Sequence, residues 1–244
     1  MKKQDKKKQF ENDAKWLFKK NLLHRGKFDN VKVYENTIEA YQGAIDLNMP
    51  FEFDVQLTND LQVICFHDTN LKRLFNRERD VSDISFKRIN KLRDDLQVPL
   101  LKDVLKLVDG KVELMIELKN TKRKLNKILV EKVAELLKDY KGKYVIVSFN
   151  PFLLSDYKSL DRNAYIGRIL SENAKGFVEK LIIKNNRFNF WVNPDFISYD
   201  ISNFDEKKIS KFKKKGYKII GWTLKEKEAE KDLKKHYDNF IIEG

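Results

Sequence analysis

The sequence predicts an α/β protein folded as a (β/α)8 TIM barrel, because two kinds of pattern alternate along its 244 residues. Short apolar runs alternate with amphipathic helical patterns, an order typical of parallel strands joined by crossover helices. Eight strand-like runs in a chain of this length fit a closed barrel better than a doubly wound sheet. These runs are residues 21–23, 51–55, 112–118, 144–149, 164–169, 195–199, 217–222 and 240–243.

The helical patterns between these runs support the same fold. Clear examples are TIEAYQGAIDLN, KLNKILVEKVAELLKDY and DEKKISKFKKKG. Before the first strand, Phe10, Ala14, Leu17 and Phe18 recur at helical spacing and predict a short amphipathic helix with a basic outer face. No internal repeat and no linker rich in Gly, Ser or Pro divides the chain. We therefore expect a single domain covering residues 1–244.

One interval is too short for a crossover connection. Only eight residues separate Asp54 from Val63, whereas parallel strands need a dozen or more residues between them. We therefore expect residues 61–66 to return antiparallel, as a hairpin that turns at residues 58–60. This hairpin would carry His67 back to the end of the second barrel strand.

The residues after the hairpin predict an insertion into the barrel. Residues 68–99 precede the next helix, which we expect to start at Pro99. They should form a small helical insertion on the catalytic face of the barrel. In that position the insertion would be a wall of the substrate pocket.

Carboxylates occupy one side of the second strand. Glu52 and Asp54 are two residues apart, so both project to the same side, and the apolar residues around them project to the other. Glu117 ends the third strand, with Lys119 two residues later. Three carboxylates roughly 4 Å apart repel by about 4 kcal/mol per pair at an effective dielectric constant near 20, so they need a cation or protons. Oxygen ligands favour Mg²⁺ or Ca²⁺ over zinc; a set of salt-bridged structural carboxylates is the alternative.

Two of the three histidines fall at predicted carboxyl ends of strands. His24 ends the first strand and His67 ends the hairpin, at the face where barrel active sites are built. An imidazole titrates near neutral pH, so one histidine can act as a base and the other as an acid. Arg25 offers a planar fork for phosphate oxygens, and Lys119 offers a point charge for the same group. Together these residues indicate metal-assisted attack on a phosphate ester.

Seven short motifs make the chain resemble the glycerophosphodiester phosphodiesterase family, in its cytoplasmic bacterial form. The order and approximate spacing match over almost the whole chain, and the run from HRG through ExD to HD is highly specific. The motifs are HRG at 24–26, ENT at 35–37, FEFDVQLTND at 51–60, FHD at 66–68, IELK at 116–119, SF at 148–149 and WT at 222–223.

The resemblance implies a (β/α)8 barrel that hydrolyses glycerophosphodiesters to an alcohol and sn-glycerol 3-phosphate. It also implies one divalent cation, Mg²⁺ or Ca²⁺ with Mn²⁺ as a further candidate. By the same resemblance Trp222 borders the glycerol pocket. The implied roles of the remaining residues are acid/base for His24 and His67, metal ligation for Glu52, Asp54 and Glu117, and phosphate contact for Arg25 and Lys119.

Two positions depart from the family pattern. The residue before ENT is usually proline, and here it is Tyr34; we expect Asn36, with Glu39 three residues later, to cap the following helix instead. The turn after the second strand commonly ends in glycine, but Leu61 stands here. A left-handed conformation at this leucine would cost roughly 1 kcal/mol. Neither departure replaces a predicted catalytic or metal-binding residue.

Composition limits the classes of binding partner and the cellular compartment expected for the protein. The net charge is +13, and residues 1–20 contain eight Lys against three acidic residues, which is typical of a solvated basic surface and leaves weak attraction to anionic lipid as an alternative. No nucleic-acid-binding motif and no apolar segment for stable membrane insertion is present. The single Cys65 favours a reducing compartment, so we expect a cytoplasmic protein. The sequence indicates no oligomeric state.

Two alternative functions stay open. One is a lysophospholipase D-like activity, in which the glycerol carries an acyl chain. The expected position of the basic N-terminus, opposite the mouth of the barrel, weakens that reading. The other is a non-catalytic module that binds phosphodiesters, although binding alone does not require two histidines.

Overall fold

A computed structural model describes residues 3–172, 192–202, 205–225 and 227–244 of the chain. Within these residues, eight parallel strands form a closed ring with helices outside it, and the expected (β/α)8 barrel is confirmed. One further strand, β3, pairs antiparallel with β2. The strands are β1 (Leu22–His24), β2 (Phe51–Leu57), β3 (Val63–Cys65), β4 (Leu114–Leu118), β5 (Tyr144–Ser148), β6 (Ile166–Leu170), β7 (Phe196–Asp200), β8 (Lys218–Leu224) and β9 (Asn239–Glu243).

Each barrel strand pairs with its neighbour in chain order, and β1 closes the ring by pairing with both β2 and β9. The eight strands predicted from sequence all coincide with these barrel strands. The described α-helices are α1 (Lys3–Asp13), α2 (Ile38–Asp46), α3 (Lys72–Phe75), α4 (Phe86–Ile89), α5 (Leu101–Val108), α6 (Arg123–Leu137), α7 (Pro151–Leu160), α8 (Glu206–Lys214) and α9 (Lys227–Leu233).

The apolar side of β2 packs against the surrounding helices, as the alternation in its sequence predicts. Phe51 and Phe53 are fully buried in the core between the strands and the outer helices. Tyr41 of α2 stacks on Phe51, with ring centroids 4.9 Å apart. Full burial of such a side chain contributes roughly 1.5–3 kcal/mol. This packing fixes the orientation of β2 and directs its acidic residues away from the helices.

The predicted hairpin is present between β2 and β3. Val55 pairs with Cys65 and Leu57 pairs with Val63, in antiparallel register. Leu61 lies in the turn with a φ of 57°, so the left-handed conformation considered for this leucine is the one adopted. The hairpin returns the chain to the carboxyl end of β2 and places His67 there.

The insertion has a small apolar core of its own. Leu71, Phe75, Val81 and Ile89 are buried together against Ile64 of β3. This core fixes α3 and α4 to the outside of the hairpin. The helix expected to start at Pro99 begins two residues later, with α5 at Leu101.

The N-terminal helix covers the end of the barrel opposite the carboxyl ends of the strands. Phe10 of α1 stacks on Phe196, the first residue of β7, with centroids 6.0 Å apart. The side chain of Asn239, at the start of β9, donates hydrogen bonds to the backbone carbonyls of Leu17 and Lys20. The predicted apolar residues therefore seal the base of the barrel, but from two elements rather than one helix: α1 ends at Asp13, and Leu17 belongs to a short 3-10 helix, Lys15–Phe18. In the part of the chain that the structure describes, no helix has the length and apolar character needed to cross a membrane.

Candidate active site

A cavity of about 340 Å³ opens at the carboxyl ends of the barrel strands. Six of the eight predicted site residues line this cavity. They are His24, Arg25, Glu52, His67, Glu117 and Trp222. The remaining two lie behind the lining, where Asp54 pairs with Arg25 and Lys119 pairs with Glu117. All eight residues are thus brought together in one place.

The three predicted metal ligands form a buried carboxylate cluster. One oxygen atom from each of Glu52, Asp54 and Glu117 lies within 4.8 Å of the others. The register of the sheet explains this arrangement, because Asp54 of β2 is directly opposite Glu117 of β4. Oε2 of Glu52 is buried and has no hydrogen-bond partner among the described residues. An all-oxygen cluster with an unpaired buried carboxylate oxygen fits a hard divalent cation.

The carboxylates differ in how their charge is stabilised. Burial, followed by the nearby charges of Asp54 and Glu117, raises the pKa of Glu52 well above its ordinary value. Burial alone would raise the pKa of Asp54 too, but the charges of Lys119, His67 and Arg25 lower it far below its usual range. Burial raises the pKa of Glu117, and Lys119 offsets only part of the effect. The protein itself therefore compensates the charge of Asp54, whereas Arg25 and Lys119 offset only part of the cost of ionising Glu52.

Two positively charged side chains, Lys119 and Arg25, lie against this cluster. Nζ of Lys119 is 2.8 Å from Oε1 of Glu117 and 3.2 Å from Oδ1 of Asp54. Nε of Arg25 is 3.4 Å from Oδ2 of Asp54. Arg25 also has a φ of 59°, a left-handed conformation in the loop that leaves β1. Both side chains are mostly buried, where charges interact more strongly than in bulk water.

The two predicted acid/base histidines face the same cavity in different environments. His24 is held close to Glu52, and burial, with the charge of Arg25, lowers its pKa to about 3. Its Nδ1 is buried without a hydrogen-bond partner in the described ranges. Nδ1 of His67 lies 2.7 Å from Oδ1 of Asp68. Because an ionised carboxylate only accepts hydrogen bonds, this contact assigns a proton to Nδ1 and leaves Nε2 free for exchange with a substrate.

Comparison with known proteins identifies the family. The family of glycerophosphoryl diester phosphodiesterases matches residues 24–239, a span that contains all eight predicted site residues. The chain belongs to this family. The family and the enzyme class predicted from the sequence motifs are confirmed.

Two relatives match this chain over nearly their whole length, and a third matches over part of its length. A glycerophosphodiester phosphodiesterase of Caldanaerobacter subterraneus subsp. tengcongensis is 29% identical over 236 residues, which cover 91% of this chain and 93% of that protein. The crystal structure of a glycerophosphodiester phosphodiesterase from Thermotoga maritima is 27% identical, with a TM-score of 0.71 and coverage of 91% and 92%. A lysophospholipase D of Rattus norvegicus is 32% identical over 145 residues, which cover 52% of this chain and 44% of that protein.

A residue of the ENT motif supports the carboxylate cluster in a way the sequence did not predict. Asn36 was expected to cap α2, but Thr37 is the cap, and its hydroxyl accepts a hydrogen bond from the backbone N–H of Ala40. Asn36 has a φ of 57°, and its Nδ2 donates to Oδ2 of Asp54 at 3.0 Å. The capping prediction was wrong because this asparagine is used to hold an acidic residue 18 positions away.

The backbone that carries His67 is held by a second unpredicted residue. Gln56 lies two positions after Asp54 on β2, on the same side of the strand, and is buried. Its Nε2 donates to the backbone carbonyls of Phe66 at 2.7 Å and Asp68 at 2.8 Å. One side chain of β2 therefore holds the backbone before and after His67.

The insertion does not form the wall of the pocket that the sequence predicted. The described lining of the cavity includes no residue of 68–99. Instead, Arg73 of α3 reaches Asp68 and the buried Glu35 of the ENT motif. Sequence reasoning missed this contact, since Glu35 and Arg73 are 38 positions apart.

Proposed function

We propose that this protein hydrolyses water-soluble glycerophosphodiesters, such as glycerophosphocholine and glycerophosphoethanolamine, to sn-glycerol 3-phosphate and an alcohol. The observation that carries the proposal is the convergence of His24 and His67 on one cavity that also exposes Glu52 and Glu117. Two imidazoles, a carboxylate cluster and two positively charged side chains are the groups that such a reaction uses. Family membership supports the same reaction class.

In this proposal, Glu52, Asp54 and Glu117 hold one divalent cation, Mg²⁺ or Ca²⁺, with Mn²⁺ as a further candidate. Their buried oxygens lie close enough together to share an ion, and the only partly compensated charge of Glu52 favours one. When bound, the cation would polarise the phosphate and neutralise charge that develops on it. Asn36 and Lys119 would keep Asp54 ionised and oriented.

The substrate phosphate is proposed to contact Arg25 and Lys119. Arg25 lines the cavity, and Lys119 lies directly behind Glu117. Trp222 is proposed to border the glycerol. Its Nε1 is buried and has no hydrogen-bond partner among the described residues, and its ring packs edge-on against Phe149. These groups would orient the diester relative to the histidines.

Proton transfer is proposed to involve both histidines. One removes a proton from the nucleophile as its oxygen bonds to phosphorus, and the other donates a proton to the departing alcohol oxygen as the P–O bond breaks. Water is one candidate nucleophile. The glycerol 2-hydroxyl is the other, and it would form a cyclic phosphate that water then opens. His67 suits either proton step, because Asp68 holds its Nδ1 and leaves Nε2 available.

The test is direct. Purified protein is incubated with glycerophosphocholine or glycerophosphoethanolamine, in EDTA or with added Mg²⁺, Mn²⁺ or Ca²⁺, and sn-glycerol 3-phosphate is quantified. The double variant His24→Ala/His67→Ala is the matched negative control for contaminating hydrolases. Cation-dependent product from the wild type alone supports the proposal. Absence of product with every ion contradicts it.

A lysophospholipase D-like activity is the second candidate, and the apolar part of the cavity favours it. Met115, Val147, Phe149 and Ile169 form a continuous apolar wall that could contact an acyl chain. Similarity to a lysophospholipase D over 145 residues points in the same direction. Against it, the basic helix α1 lies at the base of the barrel, away from the cavity mouth. A large preference in turnover for lysophosphatidylcholine over glycerophosphocholine would reverse our choice.

Other expectations stay predictions. A non-catalytic phosphodiester-binding module would bind a substrate tightly and release no product with any divalent ion. We also expect a cytoplasmic protein that acts as a single domain over residues 1–244, with a small-molecule substrate and without nucleic acid or stable membrane insertion. Fractionation of cells that express the chain at native level tests the location.

A further inference from the structure

Arg73 uses its whole guanidinium group to join two carboxylates of different segments. Its Nε donates to Oδ2 of Asp68 at 2.7 Å. Its two terminal nitrogens donate to the two oxygens of Glu35, at 2.8 Å and 2.6 Å. A bidentate pair of this kind fixes both the distance and the plane of the two groups. The insertion core holds the start and end of α3 through the buried Leu71 and Phe75.

At one end of this bridge lies a proposed acid/base residue. Oδ2 of Asp68 receives Arg73, and Oδ1 contacts Nδ1 of His67 at 2.7 Å. Burial alone would raise the pKa of Asp68, but the hydrogen bonds from His67 and Arg73 lower it well below its ordinary value. An ionised Asp68 whose plane is fixed by Arg73 can accept from only one orientation of the imidazole.

At the other end lies a proposed phosphate contact. Oε1 of Glu35 also accepts a hydrogen bond from a terminal nitrogen of Arg25 at 2.6 Å. Glu35 is 4% exposed, so its carboxylate is shielded from bulk water and strengthens its pair with the buried Arg25, while the side chain of Arg73 stays 44% exposed. Nδ2 of Asn30 donates to its other oxygen. The position of the Arg25 guanidinium therefore depends on Glu35.

We propose that Arg73 is a positioning residue that holds the imidazole of His67 and the guanidinium of Arg25 in a fixed relation through Asp68 and Glu35. This role rests on the proposed function, because it concerns the same site. Arg73 itself is not part of the described cavity lining, so it acts through its two carboxylate partners. A lysine at this position could pair with one carboxylate but has no planar fork to orient both.

Kinetics of four single variants and one double variant test the role. Arg73→Met keeps the length of the side chain and removes all donors, Arg73→Lys keeps the charge alone, and Asp68→Asn removes the acceptor of His67. Lys72→Met is the matched control. It removes a positively charged side chain from the same helix, and that side chain pairs only with the surface residue Glu78 among the described ion pairs. Thermal unfolding of each variant shows whether it folds.

We expect kcat/KM to fall about 10- to 100-fold in Arg73→Met and Arg73→Lys, the size typical for groups that orient a catalytic residue. Lys72→Met should stay within about twofold of wild type. In the double variant Asp68→Asn/Arg73→Met, kcat/KM should be little lower than in the less active of the two single variants. Both changes interrupt the same chain of contacts, so their effects should not add. Wild-type kcat/KM in either Arg73 variant, with an active parent enzyme, would overturn the proposal.

A second readout does not depend on activity. The chain contains only three histidines, so a spectrum of ¹⁵N-labelled imidazoles is simple, and His67→Ala identifies the signal of His67. We expect neutral His67 to carry its proton on Nδ1 in the wild type and to become a mixture of tautomers in Arg73→Met. An inactive wild type with this tautomer change would refute the proposed reaction and keep the positioning role. An unchanged tautomer in Arg73→Met would refute the positioning role.

Discussion

Nε2 of His24 lies 3.9 Å from Oε2 of Glu52, so a buried imidazole and a buried carboxylate face the same cavity without a hydrogen bond between them. Burial and the neighbouring carboxylates disfavour the ionised form of Glu52. A divalent cation would reverse this cost, because it supplies the additional positive charge that Arg25 and Lys119 provide only in part. The relationship makes Glu52 the most informative residue for testing the proposed cation.

Glu52→Gln should abolish stabilisation by a divalent cation. The amide is similar in shape but lacks the charge, so the cation-free variant should be at least as stable as cation-free wild type. A cation at a hundred times its Kd stabilises a protein by about 2.7 kcal/mol, and this gain should be largely absent in the variant. Thermal unfolding in EDTA and in Mg²⁺, Mn²⁺ or Ca²⁺ measures it, with the exposed Glu135→Gln as control. Equal gains in wild type and Glu52→Gln would place the ion elsewhere.

Substitution of either histidine in the cavity should reduce turnover strongly. We expect His24→Ala and His67→Ala each to lower kcat by about 10²- to 10⁴-fold, the usual contribution of a general acid or base. His236→Ala is a suitable control, because this third histidine follows α9 and is not part of the described cavity lining. Steady-state rates and circular dichroism are measured for each variant. Near-full activity in a folded His24→Ala or His67→Ala protein would refute the acid/base assignment.

The fold could be predicted from sequence because its signals are local. Residues 51–55 combine apolar and acidic residues with a period of two, and β2 places the two kinds on opposite sides. The short interval between Asp54 and Val63 excludes a crossover and requires the hairpin that is observed. The carboxyl ends of strands meet at one face of a barrel, so the candidate site residues could be grouped before their distances were known.

The contacts that support the site could not be predicted, because they join distant segments through side-chain geometry. Nothing in the neighbourhood of Asn36 indicates that it binds Asp54 rather than capping α2. The pairing of Glu35 with Arg73 depends on how the insertion packs on the hairpin, and this packing has no short-range signature. Capping preference is a weak local term, and a buried carboxylate that needs a donor outweighs it.

Gln56 provides a test of how the backbone holds His67. Gln56→Leu should lower kcat by about tenfold and destabilise the protein by about 2 kcal/mol, because it leaves one buried and one partly buried carbonyl group without their donor. KM should change less, since Gln56 does not line the described cavity. Gln62→Leu, in the exposed turn of the same hairpin, is the control. The interpretation fails if kcat is unchanged while stability falls, because the contact would then be purely structural.

Glu35 should make stability depend on pH in the acidic range. Burial alone would raise its pKa, but hydrogen bonds and charge from Arg73 and Arg25 lower it from 4.5 to about 2. The stabilisation, about 3 kcal/mol by linkage, is fully present above pH 4.5 and is lost as the pH falls towards 2. Urea unfolding of wild type and Glu35→Gln at several pH values measures the difference in unfolding free energy, which should be largest near neutrality and shrink below pH 4.5. A difference independent of pH would mean that packing, rather than the charge of Glu35, stabilises this region.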